Sequence, residues 1–117
     1  MIQLPFPAPI LWPNGRGHHM ARHKATKRHR EWAMLATLAD RTRPAVGPGD
    51  RVQLVITVYP KTRHRIDDDN ARAAMKAYQD GIADALKVND TRFAPHRLTF
   101  GEPVKGGKVV IGIEVTS

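Results

Sequence analysis

Residues 51–86 read RVQLVITVYPKTRHRIDDDNARAAMKAYQDGIADAL. Val52, Leu54, Ile56 and Val58 alternate with Arg51, Gln53, Val55, Thr57 and Tyr59, the period of a strand with one buried face. Pro60 ends that strand because it fixes φ and carries no N–H. From Asn70 to about Lys87 the apolar residues Ala71, Met75, Tyr78, Ile82 and Ala85 recur at helical spacing, and Lys76, Asp80 and Lys87 fall on the other side at ~100° per residue. Asp69 or Asn70 is the expected N-cap of this helix. Between strand and helix lie the cations Lys61, Arg63 and Arg65 with His64, then the three carboxylates Asp67, Asp68 and Asp69.

Three adjacent carboxylates repel one another, and desolvating them costs free energy unless a positive charge compensates. A hard divalent cation with oxygen ligands, Mg²⁺ above all, answers that need. In extended chain, residues i and i+2 point the same way, so Asp67 and Asp69 are expected to face one ion together while Asp68 points away. Asp90, beyond the helix, is the expected third acid if the chain turns back. Asp80 would lie ~16 Å along the helix axis, too far for the same ion. Lys76, two turns after Asp69, leans toward the helix start, where an ammonium could stabilise the added charge of a pentavalent phosphate or hold the scissile phosphate. The competing reading is a surface turn whose last Asp caps the helix and whose acids pair with Arg63, Arg65 and Arg72.

The rest of the chain is basic. The 117 residues carry a formal net charge of +8, which points to a polyanionic partner. The acids Asp67, Asp68, Asp69, Asp80, Asp84 and Asp90, six of the eleven in the chain, fall between residues 67 and 90. Acidic residues concentrated in a basic chain suggest a metal site that acts on the polyanion.

Hydrophobic residues make up 41% of the chain, enough for one globular domain over 1–117 and against disorder. A domain of this size has little spare stability, so a dimer is expected. There is no cysteine, which excludes thiolate metal sites and fits a cytoplasmic setting. No apolar run approaches the ~18 residues of a membrane span, and the N-terminal residues do not read as a secretory signal.

Residues 1–14 alternate apolar residues with prolines. Ile2 to Leu4 is expected as an edge strand, followed by an extended surface path, with a turn at Asn14-Gly15. A helix is expected from about Lys24 to Asp40, with Ala25, His29, Trp32, Ala36 and Ala39 on one face. Arg22, Lys24, Lys27, Arg28 and Arg30 crowd its first half, where cations oppose the helix dipole. Phosphate binding explains them better, with Arg16, His18 and His19 added at the approach. His19 and His23, spaced i and i+4, raise a zinc alternative, but no Asp or Glu precedes Glu31 in that region. Residues 42–50 read as a loop. Arg97 to Phe100 and Val109 to Val115 read as strands, joined by a tight hairpin at Lys105-Gly106-Gly107-Lys108. The element order is that of an α/β or α+β domain, with a small mixed sheet of about four strands and two main helices.

These residues resemble the RusA family of Holliday junction resolvases. The resemblance is carried by Asp67-Asp68-Asp69-Asn70, Lys76, the run Asp80 to Leu86, Asn89-Asp90, Leu4-Pro5-Phe6-Pro7 and the Lys105–Lys108 turn. It implies a homodimeric endonuclease that makes paired nicks in four-way DNA junctions during recombination and repair. It implies Mg²⁺ as cofactor, with Mn²⁺ as a substitute, held by Asp67, Asp69 and Asp90. Lys76 is then catalytic, and Arg63 and Arg65 join the DNA-binding cations. Three features depart from the family pattern. Lys76 follows the Asp run at a longer interval, Asn89 stands where a second acid is usual, and His64 and Ile66 interrupt the arginine run. The alternative from another class is a non-catalytic basic nucleic-acid-binding protein.

Overall fold

The computed structural model describes every residue except Asn14 and Arg16, so the predicted Arg16 contact and the Asn14 half of the predicted turn lie outside the described residues. A mixed four-stranded sheet is built around the strand expected from the alternation. This is β2 (Arg51–Tyr59), accompanied by β1 (Ile2–Pro5), β3 (Arg97–Phe100) and β4 (Lys108–Thr116), in the spatial order β1-β4-β2-β3. β4 runs antiparallel to both β1 and β2, whereas β3 runs parallel to β2. The α+β architecture, the β1 edge strand and the β2 boundaries agree with the sequence reading. The expected β3–β4 hairpin does not form. Gly106 and Gly107 do turn at positive φ (78° and 67°), but residues 101–107 carry the chain across the end of β2, where Val104 N–H donates to the Pro60 carbonyl at 2.9 Å. β4 then pairs on the far side of β2. Its apolar residues gain two neighbouring strands there, against one in a hairpin with the polar edge strand β3.

Three helices cover one face of the sheet: α1 (His19–Ala39), α2 (Asp68–Ala74) and α3 (Lys76–Leu86). The single helix expected over 70–87 starts two residues early and breaks at Met75. The stripe Ala71, Met75, Tyr78, Ile82 and Ala85 is nevertheless buried throughout. It joins Val52, Leu54, Ile56, Val58, Val109 and Ile111 of the sheet in the core.

The expected face of α1 is corrected by one position. Ala25, His29, Ala33 and Thr37 are buried, whereas Trp32 is left 36% exposed. The cause is the close approach of α1 to α3 at Gly81. A Cβ there would fall on the Arg30 carbonyl oxygen and lie 2.9 Å from Ala33 Cβ. No large side chain fits at this point, so the i, i+4 ridge that carries Ala33 turns inward and the indole moves to the flank.

Two buried polar side chains tie the proline-rich segment to the helices. Tyr78 Oη donates to the Pro5 carbonyl at 2.6 Å, and Ala8 N–H donates to His29 Nε2 at 3.1 Å. Because a backbone N–H can only donate, Nε2 is unprotonated, and Nδ1–H donates to the Ala25 carbonyl at 2.8 Å. His29 is therefore held neutral, and burial lowers its pKa, with the Arg28 charge adding to the effect. No helix among the described residues is long and apolar enough to cross a membrane.

Two measurements check this packing. Gly81→Ala should lose about 2 kcal/mol in urea unfolding, because overpacking against a backbone carbonyl outweighs the ~1 kcal/mol gain in helix propensity; a more stable variant would disprove the crossing. The second measurement is unfolding against pH. Above the ordinary histidine value His29 is neutral in both states and contributes no slope. Below ~6.5 the unfolded chain takes up a proton that the fold resists, so stability falls by up to ~1.4 kcal/mol per pH unit per such histidine. His96, whose pKa burial also lowers, adds in the same direction. Constant stability from pH 7 to pH 5 would contradict the neutral His29.

Candidate functional site

Where β2 ends, Pro60, residues 62–69, Phe100, Gly101 and Pro103 line a cleft of about 930 Å³. Arg63, His64, Arg65, Asp67, Asp68 and Asp69 all line it and all are exposed. The expected alternation of the three carboxylates is replaced by a helix start. Asp67, not Asp69 or Asn70, is the N-cap, in extended conformation at φ −69° and ψ 133°. Its Oδ1 accepts from Asp69 N–H at 2.9 Å and from Asn70 N–H at 3.3 Å. Asp68 and Asp69 occupy the first turn of α2, where the helix dipole favours negative charge. Asp68 Oδ2 accepts from Arg72 Nε at 2.8 Å. Asp67 and Asp69 enter no ion pair among the described residues, and neither do Arg63 and Arg65. The competing reading is thus correct about a cap and about Arg72, but a different Asp caps and the cleft arginines are unpaired.

A second pocket, of about 340 Å³, is lined by Arg30, Lys76, Asp80, Ala83, Asp84, Val88, Asn89 and Asp90. Asn89 caps a short 3-10 turn (Asp90–Arg92) through its side chain, and this turn brings Asp90 to the second pocket, not to Asp67 and Asp69. What it meets is Lys76, whose Nζ lies 3.0 Å from Asp80 Oδ1 and 3.6 Å from Asp90 Oδ2. The Asp80 hydrogen bond, more than the Asp90 charge, raises the Lys76 pKa and keeps it an ammonium. Arg30 clasps Asp84 through two nitrogens, at 2.6 and 2.8 Å. The structure therefore places Asp67 and Asp69 in one cleft and Lys76 and Asp90 in another. Among the described residues no group of three or more His, Cys, Asp or Glu is close enough to hold a metal ion. The expected Asp67–Asp69–Asp90 set is not assembled as one ligand cage. Asp67 and Asp69 still suit Mg²⁺, an ion commonly held by one or two carboxylates, several waters and substrate phosphates.

Arg72 ties the start of α2 to the segment before β3. While bound to Asp68, Arg72 also donates through Nη1 to the His96 carbonyl at 2.8 Å. Burial lowers the His96 pKa, with the charges of Arg72 and Lys76 adding to it, and its Nδ1 is enclosed without a hydrogen-bond partner. Neither His96 nor the Asp80 anchor of Lys76 is legible as a site residue in the sequence. Lys76 and Asp80 do stand at i and i+4, the spacing of a helical ion pair, and that signal was there to be read.

On α1, His19, Arg22, Lys24, Lys27 and Arg28 are exposed, as is His18 before it. His18 Nδ1 caps the helix by accepting from Met20 N–H at 3.2 Å. His18 and His19 stack at 4.4 Å between ring centroids, and with His23 they make no metal-holding group among the described residues. Arg30 is engaged by Asp84, whereas Arg22, Lys24, Lys27 and Arg28 form no ion pair among the described residues, Arg22 donating to the Trp12 carbonyl and Arg28 lying over the Trp32 ring.

No family model matches the chain. It is 42% identical over 113 residues to an uncharacterized protein of Xylella fastidiosa, an alignment that covers 96% of this chain and 74% of that protein. The chain belongs to the same family as that protein.

The cap separates the structural and chemical roles of Asp67. Asp67→Ala should cost about 1 kcal/mol in urea unfolding, whereas Asp67→Asn, an equally good cap residue, should stay within a few tenths. Equal losses in the two variants would show that the carboxylate charge, not the cap, stabilises α2.

Proposed function

We propose that this protein is a RusA-like, Mg²⁺-dependent endonuclease selective for branched DNA, four-way junctions above all, acting as a homodimer in the cytoplasm. The observation that carries the reading is the 930 Å³ cleft, in which unpaired Arg63 and Arg65 share walls with Asp67 and Asp69. Such a cleft suits a phosphodiester. Guanidinium groups bind phosphate oxygens bidentately, and carboxylates without ion pairs supply hard oxygen ligands. Asp67 and Asp69 would hold Mg²⁺, or Mn²⁺ in its place, which when bound lowers the pKa of a coordinated water and polarises a phosphoryl oxygen. In this mechanism Arg63 and Arg65 hold the strand on either side of the scissile bond. Lys76, kept charged by Asp80 in the second pocket, counters the charge of the phosphate on this reading only where the bound strand reaches from the cleft to that pocket. Arg22, Lys24, Lys27 and Arg28 grip the arms through their phosphates, so affinity falls steeply with added salt.

The second reading is a nucleic-acid-binding protein without catalysis. The cap formed by Asp67 and the engagement of Lys76 by Asp80 and Asp90 favour it, since both give structural reasons for residues assigned to catalysis. Labelled junction DNA incubated with and without Mg²⁺ separates the readings. The nuclease should cut only with the metal. Asp67→Asn and Asp69→Asn should each lose about a hundredfold or more in rate while binding the junction as before, since each removes a charge that acts at the transition state. Binding without cutting by the unmodified protein would establish the second reading, and undiminished cutting by both variants would overturn the assignment of the acids.

A further inference from the structure

Phe100 is an anomaly in the sheet. It pairs with Val58 in the β2–β3 ladder and follows Leu98 at i+2, so it belongs to the face that the helices cover. Val58 is fully buried and Leu98 packs against the core, yet Phe100 is 42% exposed. The helical layer stops short of this corner, and the 930 Å³ cleft opens there. The backbone beneath the ring is held by Gly101 N–H, which donates to the Val58 carbonyl at 2.9 Å. An uncovered aromatic ring thus lines a cleft that Arg63, His64 and Arg65 also line.

A ligand matching both features needs negative charge and a flat apolar surface. A nucleotide has both. A base inside a duplex is covered above and below by its neighbours and offers no free face to a ring; an unpaired base does, and stacking on an aromatic side chain requires no particular sequence. We infer that Phe100 is the stacking platform for an unpaired base, in a strand whose adjoining phosphates lie on Arg63 and Arg65. This rests on the reading of the protein as one that binds DNA, and it names the feature recognised: a nucleotide out of its helix, as found where arms meet or strands part. Phe100 then determines specificity, and the acids beside it are the groups that act on the strand it captures.

The test uses the full chain in EDTA, so that nothing is cut, and an oligonucleotide carrying the fluorescent base 2-aminopurine, either single-stranded or annealed to its complement. The unmodified protein should quench the fluorescence of the single strand by stacking. Phe100→Leu keeps apolar bulk at the site but has no aromatic face. It should lose the quenching and about tenfold in affinity for the single strand, with duplex affinity unchanged. Phe100→Trp should restore both. Quenching and affinity in Phe100→Leu equal to those of the unmodified protein would overturn the platform and leave the DNA-binding reading standing. No binding of either form by the unmodified protein at low salt would overturn both.

Discussion

The crossing of α1 and α3 at Gly81 is the constraint from which the rest of the arrangement follows. With no side chain between them, the backbones approach until the Arg30 carbonyl and Ala33 Cβ fill the space where a Cβ would stand. That approach sets which face of α1 is buried, brings His29 alongside Tyr78 with ring centroids 5.4 Å apart, and lets Arg30 reach Asp84. Through His29 and Tyr78 it also fixes the proline-rich segment, whose Pro5 carbonyl and Ala8 N–H find their partners on these two side chains. A buried polar group without a partner costs about 1–3 kcal/mol. Segment and helix pair therefore depend on each other, although neither is a strong structure alone.

The same crossing arranges the charges. Because Arg30 is drawn to α3, the cations of α1 divide into one that supports the fold and a group nearer the N-terminus that faces solvent. On α3 each acid has a cation: Lys76 for Asp80 and Arg30 for Asp84. Exposed pairs of this kind contribute little to stability. Their more important effect is to define which charges remain free. Asp67, Asp69, Arg63 and Arg65 are free in that sense among the described residues, and all four line one cleft. A ligand with both anionic and metal-binding oxygens would meet no competing ion pair at these four residues, although Asp67 Oδ1 also caps α2.

Where one local rule governs, the sequence was a good guide. β2 alternates cleanly because one of its faces is buried, and the α2–α3 stripe is buried residue by residue because apolar spacing was its only requirement. The misreadings share a different origin: a distant contact overruled the local signal. Trp32 is the more hydrophobic choice for the α1 face, but Gly81, 49 positions further along the chain, admits the ridge that carries Ala33 instead. Gly106-Gly107 does turn, but turn chemistry says nothing about which strand lies beside the next. The alternation argument for Asp67 and Asp69 assumed extended backbone. The helix began two residues earlier than its apolar pattern, since acids in a first turn stabilise a helix start and leave no trace in hydrophobic periodicity.

The break at Met75 deserves the most weight in interpreting the site. If α2 and α3 were one straight helix, Lys76 would lie two turns from Asp69 and nearly in line with it. Met75, at φ −86° and ψ −5°, ends α2 and precedes α3, and Lys76 lines the pocket of Asp80 and Asp90. The longer interval between the Asp run and the lysine therefore does not merely lengthen a helix; it divides the acids and the ammonium between two pockets. Arg72 is in contact with both Asp68 and the His96 carbonyl. The acids of the cleft and the ammonium of the second pocket are thus held by separate contacts, Asp68 by Arg72 and Lys76 by Asp80 and Asp90.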